Sequence, residues 1–596
     1  MTYKAPVRDY RFLFEHVFRT DQYNNLKGFE DATLDTVMQI LEEGARFTEN
    51  VVAPLNHSSD KEGCSLDPAT YEVTPPKGFP EAYKQLCDGG WTALGNDPEY
   101  GGQGLPYFVS SAFSEMLSGA SSSFGMYPGL TEGAISAIEV GATSEQKALY
   151  LPRLISGEWS GTMNLTEPHC GTDLGLLRTK AIPQDGGTYA VSGQKIWISA
   201  GEHTMSQNIC HLVLARIEGA PAGVKGISLF LVPKFIPNAD GSLGERNSLH
   251  CAGLEHKMGI HGNSTCVMVY EGAKAWLLGS ANEGLKIMFY MMNKARFGVG
   301  LQGLAIGHAA YEAAAAFAKD RIQGRSLTGP KTPEREADCI LVHPDVRRML
   351  MESRAHLESG RAFMSWLALL ADFEQGSEDE KERERASDYM GLLTPVIKAY
   401  LTDRGLQVCN EAMQVHGGSG FTEHYQASQY LRDQRITLIY EGTNGVQALD
   451  LVGRKLPSKG GRAIMSLMAE IDAYIAAEES NTTIPAYIKA LKDSKAKLME
   501  GTMWLMQNAM GNPDNAGAGS TNYLSLMGIT VSAYMWAMMA KAAKAQIDKG
   551  STDPFYNNKL IIGEVFLSRI MPEADMQLAK LKVGAAPLMA LAEDQF

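Results

Sequence analysis

Hydrophobic and polar positions recur along this chain with two different periods, and the period changes twice. In "LDTVMQILEEGARFTENVV" the apolar residues Val37, Ile40, Leu41 and Ala45 return every three to four positions. That spacing puts side chains on one face of a helix. "LPYFVSSAFSEMLSG" is similar, after the breaker-rich "NDPEYGGQGLP". Residues 1–160 therefore read mainly as helix. From about residue 160 the runs shorten. "TYAVSGQKIWIS", "HLVLARI", "GISLFLVP" and "TCVMVYEG" are short and β-rich, which predicts a mostly β region over 161–280. The first of these reads as two strands joined by a turn at Ser192–Gly193.

The helical period returns near residue 283. Phe297, Leu301, Leu304, His308, Tyr311, Ala315 and Ala318 are alternately four and three apart, among Ala and Gly neighbours that let other helices approach. "HPDVRRMLMESRAHLESGRAFMSWLALLADF" predicts a second long helix, and "PVIKAYLTDRGLQVCNEAMQVHGG" a third that stops at Gly417. The charge run "EQGSEDEKERERASD" between them reads as a solvated loop or frayed helix end. After residue 458 a further helical segment follows, with "QNAMGNPDNAGAGSTN" as an internal loop. The domains expected are 1–160 (α), 161–280 (β), 281–457 (α) and 458–596 (appended α).

A chain of 596 residues is too long for one core, in agreement with several domains. A net charge of −14 argues against nucleic acid as a partner. The eight cysteines are scattered without C-x-x-C spacing, so neither a zinc site nor a disulfide framework is expected. No histidines pair at metal spacing, and no metal is expected. The reading is a reducing, cytoplasmic protein. The opening "MTYKAPVRDYRFLFEHVF" carries charges throughout, unlike a signal peptide. Tyr523–Ala540 has no charge and is nearly long enough to cross a bilayer. Its small and polar residues, and the amphipathic "KAAKAQIDK" that continues it, favour a buried core helix.

Several short motifs carry chemistry. "GVGLQG", Gly298 to Gly303, has dinucleotide-fingerprint spacing but lies inside a helical pattern, which favours close helix packing. "LTEPHCGTD" is a polar loop whose amides and hydroxyls could hold a heterocycle or phosphate. "KIWIS" places Trp197 and Ser199 on one strand face, a stacking surface and a hydroxyl for a flat ring. Arg321 and Gln323 of "DRIQGR" end a helix, as caps or as phosphate ligands. "QVHGGSGF" has more glycine than a helix stop needs. In "LIYEGTNGVQ" Glu441 follows an apolar run, and Asn444 and Gln447 have capping-box spacing. Glu441 is then either a helix-terminal charge or a desolvated base.

Taken in this order, "LTEPHCGTD", "KIWIS", "RFGVG…DRIQGR", "QVHGGSGF" and "RDQRITLIYEGT" resemble the flavin-dependent acyl-CoA dehydrogenase family over about residues 35–455. The resemblance implies an α+β multidomain fold: an N-terminal helical domain, a β-barrel-like middle domain and a C-terminal four-helix bundle, here with an appended helical domain. It implies FAD, held by Leu165, Thr166, Gly171, Thr172, Trp197 and Ser199, and by Arg321, Gln323, Gln414, Gly417, Gly418 and Thr443. Arg321 and Gln323 would reach the FAD of a neighbouring subunit, with Gln414, Gly417 and Gly418 on its ADP portion. That implies a homodimer, with a tetramer as the alternative. Glu441 matches the catalytic base, and Ala295, where some members carry theirs, cannot serve. An acyl-CoA is the implied substrate, and an electron-transferring flavoprotein the implied acceptor. "YKAPVRDYRFLFEHVF", "KMGIHGNSTC" and the tail look like a bacterial branch that includes an enzyme of dimethylsulfoniopropionate breakdown. The substrate expected is therefore 3-methylmercaptopropionyl-CoA, with short or medium straight-chain acyl-CoA, or an oxygen-using oxidase, as alternatives.

Overall fold

The computed structural model describes residues 3–596. They cluster into two compact units. The first comprises Gly44–Leu105 and Met116–Gly298; the second comprises Met1–Glu43, Pro106–Glu115 and Val299–Phe596. The helices needed below are α1 (Val7–Phe12), α2 (Ser122–Gly141), α3 (Gly284–Asp320), α4 (Pro344–Gly376), α5 (Glu380–His416), α6 (Asn444–Asp450), α7 (Asp514–Asp548) and α8 (Pro554–Val565).

The first unit holds one seven-stranded mixed sheet. Its strands are β1 (Trp159–Asn164), β2 (Lys180–Pro183), β3 (Tyr189–Ser199), β4 (Asn208–Ile217), β5 (Ile227–Pro233), β6 (Leu249–Leu254) and β7 (Thr265–Leu278). β7 pairs with β3, β3 with β2, β2 with β4, β4 with β5, and β5 with β7 again. The five strands thus close a ring, and the region is barrel-like. β4 and β5 alternate between two cores. Val213, Ala215, Phe230 and Val232 face the barrel interior with Val191, Ile198 and Met268. Leu212, Leu214, Leu229 and Leu231 pack outward with Trp159 and with Ala134 and Ile138 of α2. Strands buried on both faces read as continuous apolar runs, which is why "HLVLARI" and "GISLFLVP" lack alternation.

"TYAVSGQKIWIS" is a single strand and not two. Gly193 is required because the chain of Thr179 crosses it: a Cβ there would lie 2.9 Å from the Thr179 Cα. The glycine marks a close approach, not a turn.

In the second unit, α3 and α5 cross where the glycines lie. A Cβ on Gly300 would meet Ile397 O at 3.0 Å, and one on Gly303 would meet Thr402 Cα at 2.8 Å. "GVGLQG" is therefore a helix-packing motif, as its place in the pattern suggests. The charge run is not a loop: Gly376 ends α4, Asp379 caps α5, and the acids from Glu380 onward form the first turns of α5. Carboxylates are favourable at that end of a helix dipole. The loop expected at 507–522 shrinks to Ala509–Pro513, because "NAGAGSTN" already belongs to α7. α7 is the one helix among the described residues long and apolar enough to cross a membrane, and 89% of its apolar window is buried.

α1 docks on α8 through Phe12 and Phe555, whose rings are 5.5 Å apart. Asp9 lies 3.1 Å from the Arg361 guanidinium and 2.6 Å from the Lys559 ammonium. Lys559 also reaches Glu358 at 2.8 Å, and Arg361 reaches Glu115 at 2.6 Å. Burial works to raise the Asp9 carboxyl, but the two cations outweigh it and hold it well below the usual carboxylate range.

Candidate functional site

Each unit carries one part of the predicted site. On the first unit it is built at a β-bulge. β3 and β7 pair Lys195 with Met268 and Ile198 with Cys266, so Ile196 and Trp197 together oppose one residue. The Ile196 N–H leaves the ladder and donates to Thr166 O at 3.0 Å. Trp197 takes φ +60°, a left-handed conformation. Its indole stands 61% exposed, while Ile198 beside it is buried. Such backbone conformations cost of order 1–3 kcal/mol and concentrate at functional sites. Ser199 keeps to the less buried side of the strand with Trp197. Sequence periodicity had placed those two together; the bulge is what presents the ring.

The loop before β2 is tied to this bulge by Lys195, which is fully buried. Its ammonium donates to Leu165 O at 3.0 Å and to Glu167 Oε1 at 2.9 Å. Glu167 accepts further from Arg178 N, Thr179 N and Thr179 Oγ1 at 2.6–3.0 Å. Burial raises the Glu167 carboxyl, but Lys195 and the Thr179 hydroxyl prevail and the net shift is down. Burial pushes Lys195 down to about 8, against the pull of Glu167. Leu165 and Thr166 are half-buried beside this pair, whereas Gly171 and Thr172 stand exposed on the loop. Glu167, His169 and Cys170 gather within 4.8 Å, but the Glu167 oxygens are already committed to four donors.

On the second unit the predicted residues fall into two groups. Arg321 lies 4.9 Å over the Phe317 ring, which lies 4.4 Å from His416, the last residue before Gly417. The end of α3 and the glycine-rich loop after α5 are therefore neighbours. Gln323 and Arg321 are exposed. Their loop is held by buried Asp338, which accepts from Ser326 N, Lys331 N and Thr332 N at 2.8–3.0 Å. Gly417 has φ +58°, and a Cβ on Gly417 or Gly418 would meet nothing within 4 Å. Gln414 is exposed on the same helix end.

Glu441 is elsewhere. Its loop lies against Lys398 and Thr402 of α5, about 28 Å along the helix from Gly417 at 1.5 Å per residue. Glu441 has φ +57° and Gly442 φ +85°, two consecutive left-handed residues. The non-glycine one costs roughly 1–2 kcal/mol. Trp197 and Glu441 are two of only eight non-glycine residues with positive φ among the described residues.

Three side chains hold the Glu441 loop. Lys398, fully buried in the middle of α5, donates to Gly442 O and to Asn444 Oδ1, each at 2.9 Å. Gln447 Nε2 donates to Glu441 O at 3.0 Å. The Tyr440 hydroxyl donates to Gln302 on α3. A hydrogen bond to a charged group contributes about 1.5–3 kcal/mol, enough to offset the backbone cost. The cap of α6 is Thr443, whose Oγ1 accepts from Val446 N at 3.4 Å. Asn444, read from sequence as the cap, is instead spent on α5: its amide donates to Ala399 O, Thr402 Oγ1 and Asp403 Oδ1. Lys195 and Lys398 were not singled out from sequence, and Gln447 only as the capping-box partner of Asn444. The two lysines had a signal: each is a lone cation in an apolar run, "KIWI" and "PVIKAYL".

Family comparisons cover nearly the whole chain. Models described as acyl-CoA dehydrogenase N-terminal, middle and C-terminal domains match residues 35–158, 162–273 and 282–456. One described as acetyl-CoA dehydrogenase C-terminal like matches 467–592. The chain belongs to the acyl-CoA dehydrogenase family, and acyl-CoA dehydrogenation is its activity. It is 41% identical to a 3-methylmercaptopropionyl-CoA dehydrogenase of Ruegeria pomeroyi, over 98% of each chain. It is 33% identical to a broad-specificity linear acyl-CoA dehydrogenase of Mycobacterium tuberculosis, over 96% of each. A solved acyl-CoA dehydrogenase from Bacillus anthracis, complexed with FAD, has the same fold at TM-score 0.74 and 21% identity, covering 94% of this chain and 90% of that one.

The family is FAD-dependent, and the residues present suit that cofactor. One unit offers an exposed indole with hydroxyls nearby, apt for a flat ring system. The other offers a guanidinium beside glycines around which this chain leaves open space, apt for a phosphate-bearing portion.

Proposed function

We propose that this enzyme oxidises 3-methylmercaptopropionyl-CoA to methylthioacryloyl-CoA, with Glu441 as the base that removes the α-proton. The observation that carries the base is the strained, clamped backbone at Glu441: a mere helix-end charge needs neither the left-handed conformation nor a buried lysine behind it. The substrate rests on the 41% identity to the Ruegeria pomeroyi enzyme of that name. Glu441 takes the proton from Cα. FAD held in this site would supply the acceptor for the β-hydrogen and its electron pair. The α C–H is a weak acid, so the thioester carbonyl must be polarised as charge develops on it. The Glu441 main-chain N–H is the donor this chain would supply. Excluding water around the carboxylate strengthens it as a base. Trp197 and Ser199 would flank the flavin ring, with Leu165, Thr166, Gly171 and Thr172 beside it. Arg321, Gln323, Gln414, Gly417 and Gly418 would bind the adenosine diphosphate end in a homodimer, and Thr443 would contact the cofactor. An electron-transferring flavoprotein would reoxidise the enzyme, in the cytoplasm.

A second reading is favoured by the Mycobacterium relative, named for linear acyl-CoAs, and by a butyryl-CoA dehydrogenase of Syntrophomonas wolfei, 31% identical. Anaerobic titration of the holoenzyme with 3-methylmercaptopropionyl-CoA, butyryl-CoA and octanoyl-CoA separates the two. The fastest bleaching of flavin absorbance is expected with the first. Faster bleaching with butyryl- or octanoyl-CoA establishes the straight-chain reading.

A further inference from the structure

We infer that Lys398 is a positioning residue for the reaction. From inside α5 it fixes the left-handed Glu441–Gly442 pair and so sets the aim of the carboxylate. The inference rests on Glu441 being the base.

The surroundings of Lys398 argue for this. Its neighbours Val396, Ile397, Ala399, Tyr400 and Leu401 are all buried, and Lys398 itself has no exposed surface. Taking an ammonium out of water is costly, and a methionine would fill similar volume without that cost. The position therefore makes sense through what the ammonium binds. It binds the loop immediately after Glu441, at Gly442 O and Asn444 Oδ1. Asn444 is bolted to the next turn of α5 through Thr402 Oγ1 at 3.0 Å and Asp403 Oδ1 at 2.8 Å. On the other side of Glu441, Tyr440 is tied to Gln302 of α3. The main chain on either side of Glu441 is thus held between two anchors on different long helices, which meet at the Gly300 and Gly303 crossing. Gln447 adds the bond to Glu441 O. Orientation of a catalytic group to within a fraction of an ångström is worth large factors in rate. The sequence around Glu441 alone, three small or polar residues after an acid, cannot supply it.

The test compares Lys398→Met, Gln447→Met and Glu441→Gln as FAD-loaded full-length enzymes. Turnover is measured with butyryl-CoA and 3-methylmercaptopropionyl-CoA, each also deuterated at Cα, using a dye acceptor. For Lys398→Met, kcat is expected to fall 30-fold or more with KM within threefold. The α-deuterium isotope effect on kcat should rise, because misaimed proton removal becomes more fully rate-limiting. A merely structural loss would lower the fraction of active enzyme and leave the isotope effect where it was. Turnover within threefold of wild type, or a fall in kcat with an unchanged isotope effect, overturns the inference. Should Lys398→Met fail to fold, Gln447→Met decides: a fivefold or greater fall in kcat with a raised isotope effect supports the clamp, and wild-type behaviour overturns it. Glu441→Gln separates the two ideas. If it turns over normally, the base lies elsewhere and the reading of Lys398 falls with it. If it is inactive while Lys398→Met is normal, only the clamp is wrong.

Discussion

The two halves of the predicted site solve one problem by different means. Each presents a residue in a left-handed conformation, Trp197 on the first unit and Glu441 on the second. Each has a fully buried lysine holding a nearby carbonyl: Lys195 on Leu165 O, Lys398 on Gly442 O. They differ in what does the holding. At Trp197 a sheet does most of it, since one extra residue in a paired strand turns the side chain outward. Lys195 then joins the neighbouring loop to that strand through a buried carboxylate, Glu167. At Glu441 there is no ladder to borrow from, only a turn between short helices, so side-chain bonds from α3, α5 and α6 do the work. A scaffold rigid in its main chain needs only a local defect to present a group; a loop needs bolts.

That contrast can be broken at four points. The largest effect belongs to Glu441→Gln. It should lower kcat by about 10²–10⁴-fold, the usual worth of a general base, with FAD content and Tm unchanged. Stopped-flow reduction by butyryl-CoA checks it, and wild-type rates would remove Glu441 from the chemistry. On the other half the expected damage is to stability. Lys195→Met leaves Glu167 buried without its cation and should cost about 3–5 kcal/mol, read by denaturant unfolding, together with easier loss of FAD. A neutral effect would mean that the sheet alone orders the loop.

The third point is pH. Lys195 sits at about 8 in the fold, against an ordinary value of about 10.4. Between these the unfolded chain keeps a proton that the native chain has released. Unfolding free energy therefore rises with pH across that window and the penalty is complete below it. Wild type should gain on the order of 2 kcal/mol over Lys195→Met between pH 8 and 10.4, measured as the difference in urea midpoints. Parallel curves would contradict the lowered value. The smallest effect is at Trp197→Gly. It relieves roughly 1 kcal/mol of backbone cost, so Tm of the FAD-stripped protein should rise slightly while flavin retention falls. A fall in both would make the indole a packing residue instead.

Much of this was legible in the sequence because it follows from periodicity. The change near residue 160 and its reversal near 283 are set by which faces are buried, and the seven-stranded sheet and α3 begin there, though a two-stranded pair at Ser65–Leu66 and Val73–Thr74 precedes them. "GVGLQG" is a helix crossing, as its phase required. What escaped was decided by distant chain. Gly193 looked like a turn because nothing local announces the approach of Thr179. The acids of "EQGSEDEKERERASD" are solvated as read, but charge composition left open a loop or a helix end, and they open α5. Asn444 looked like a cap until Thr402 and Asp403 of α5 claimed its amide. The left-handed φ of Trp197 and Glu441 has no residue-type signal, since neither is the glycine that such a conformation favours.

The Asp9–Lys559 contact has a consequence in time. The two residues are 550 positions apart, and at the usual ribosomal rate of about 5–20 residues per second the first waits roughly half a minute to two minutes for the second. During that interval the acid and the Phe12 ring of α1 have no α8 to cover them. Domains ordinarily mature from the front of the chain as it emerges. Here the helical unit, assembled from three separated stretches, can close only after the barrel-like unit has been fully made. A newborn chain is thus most dependent on protection at its oldest end.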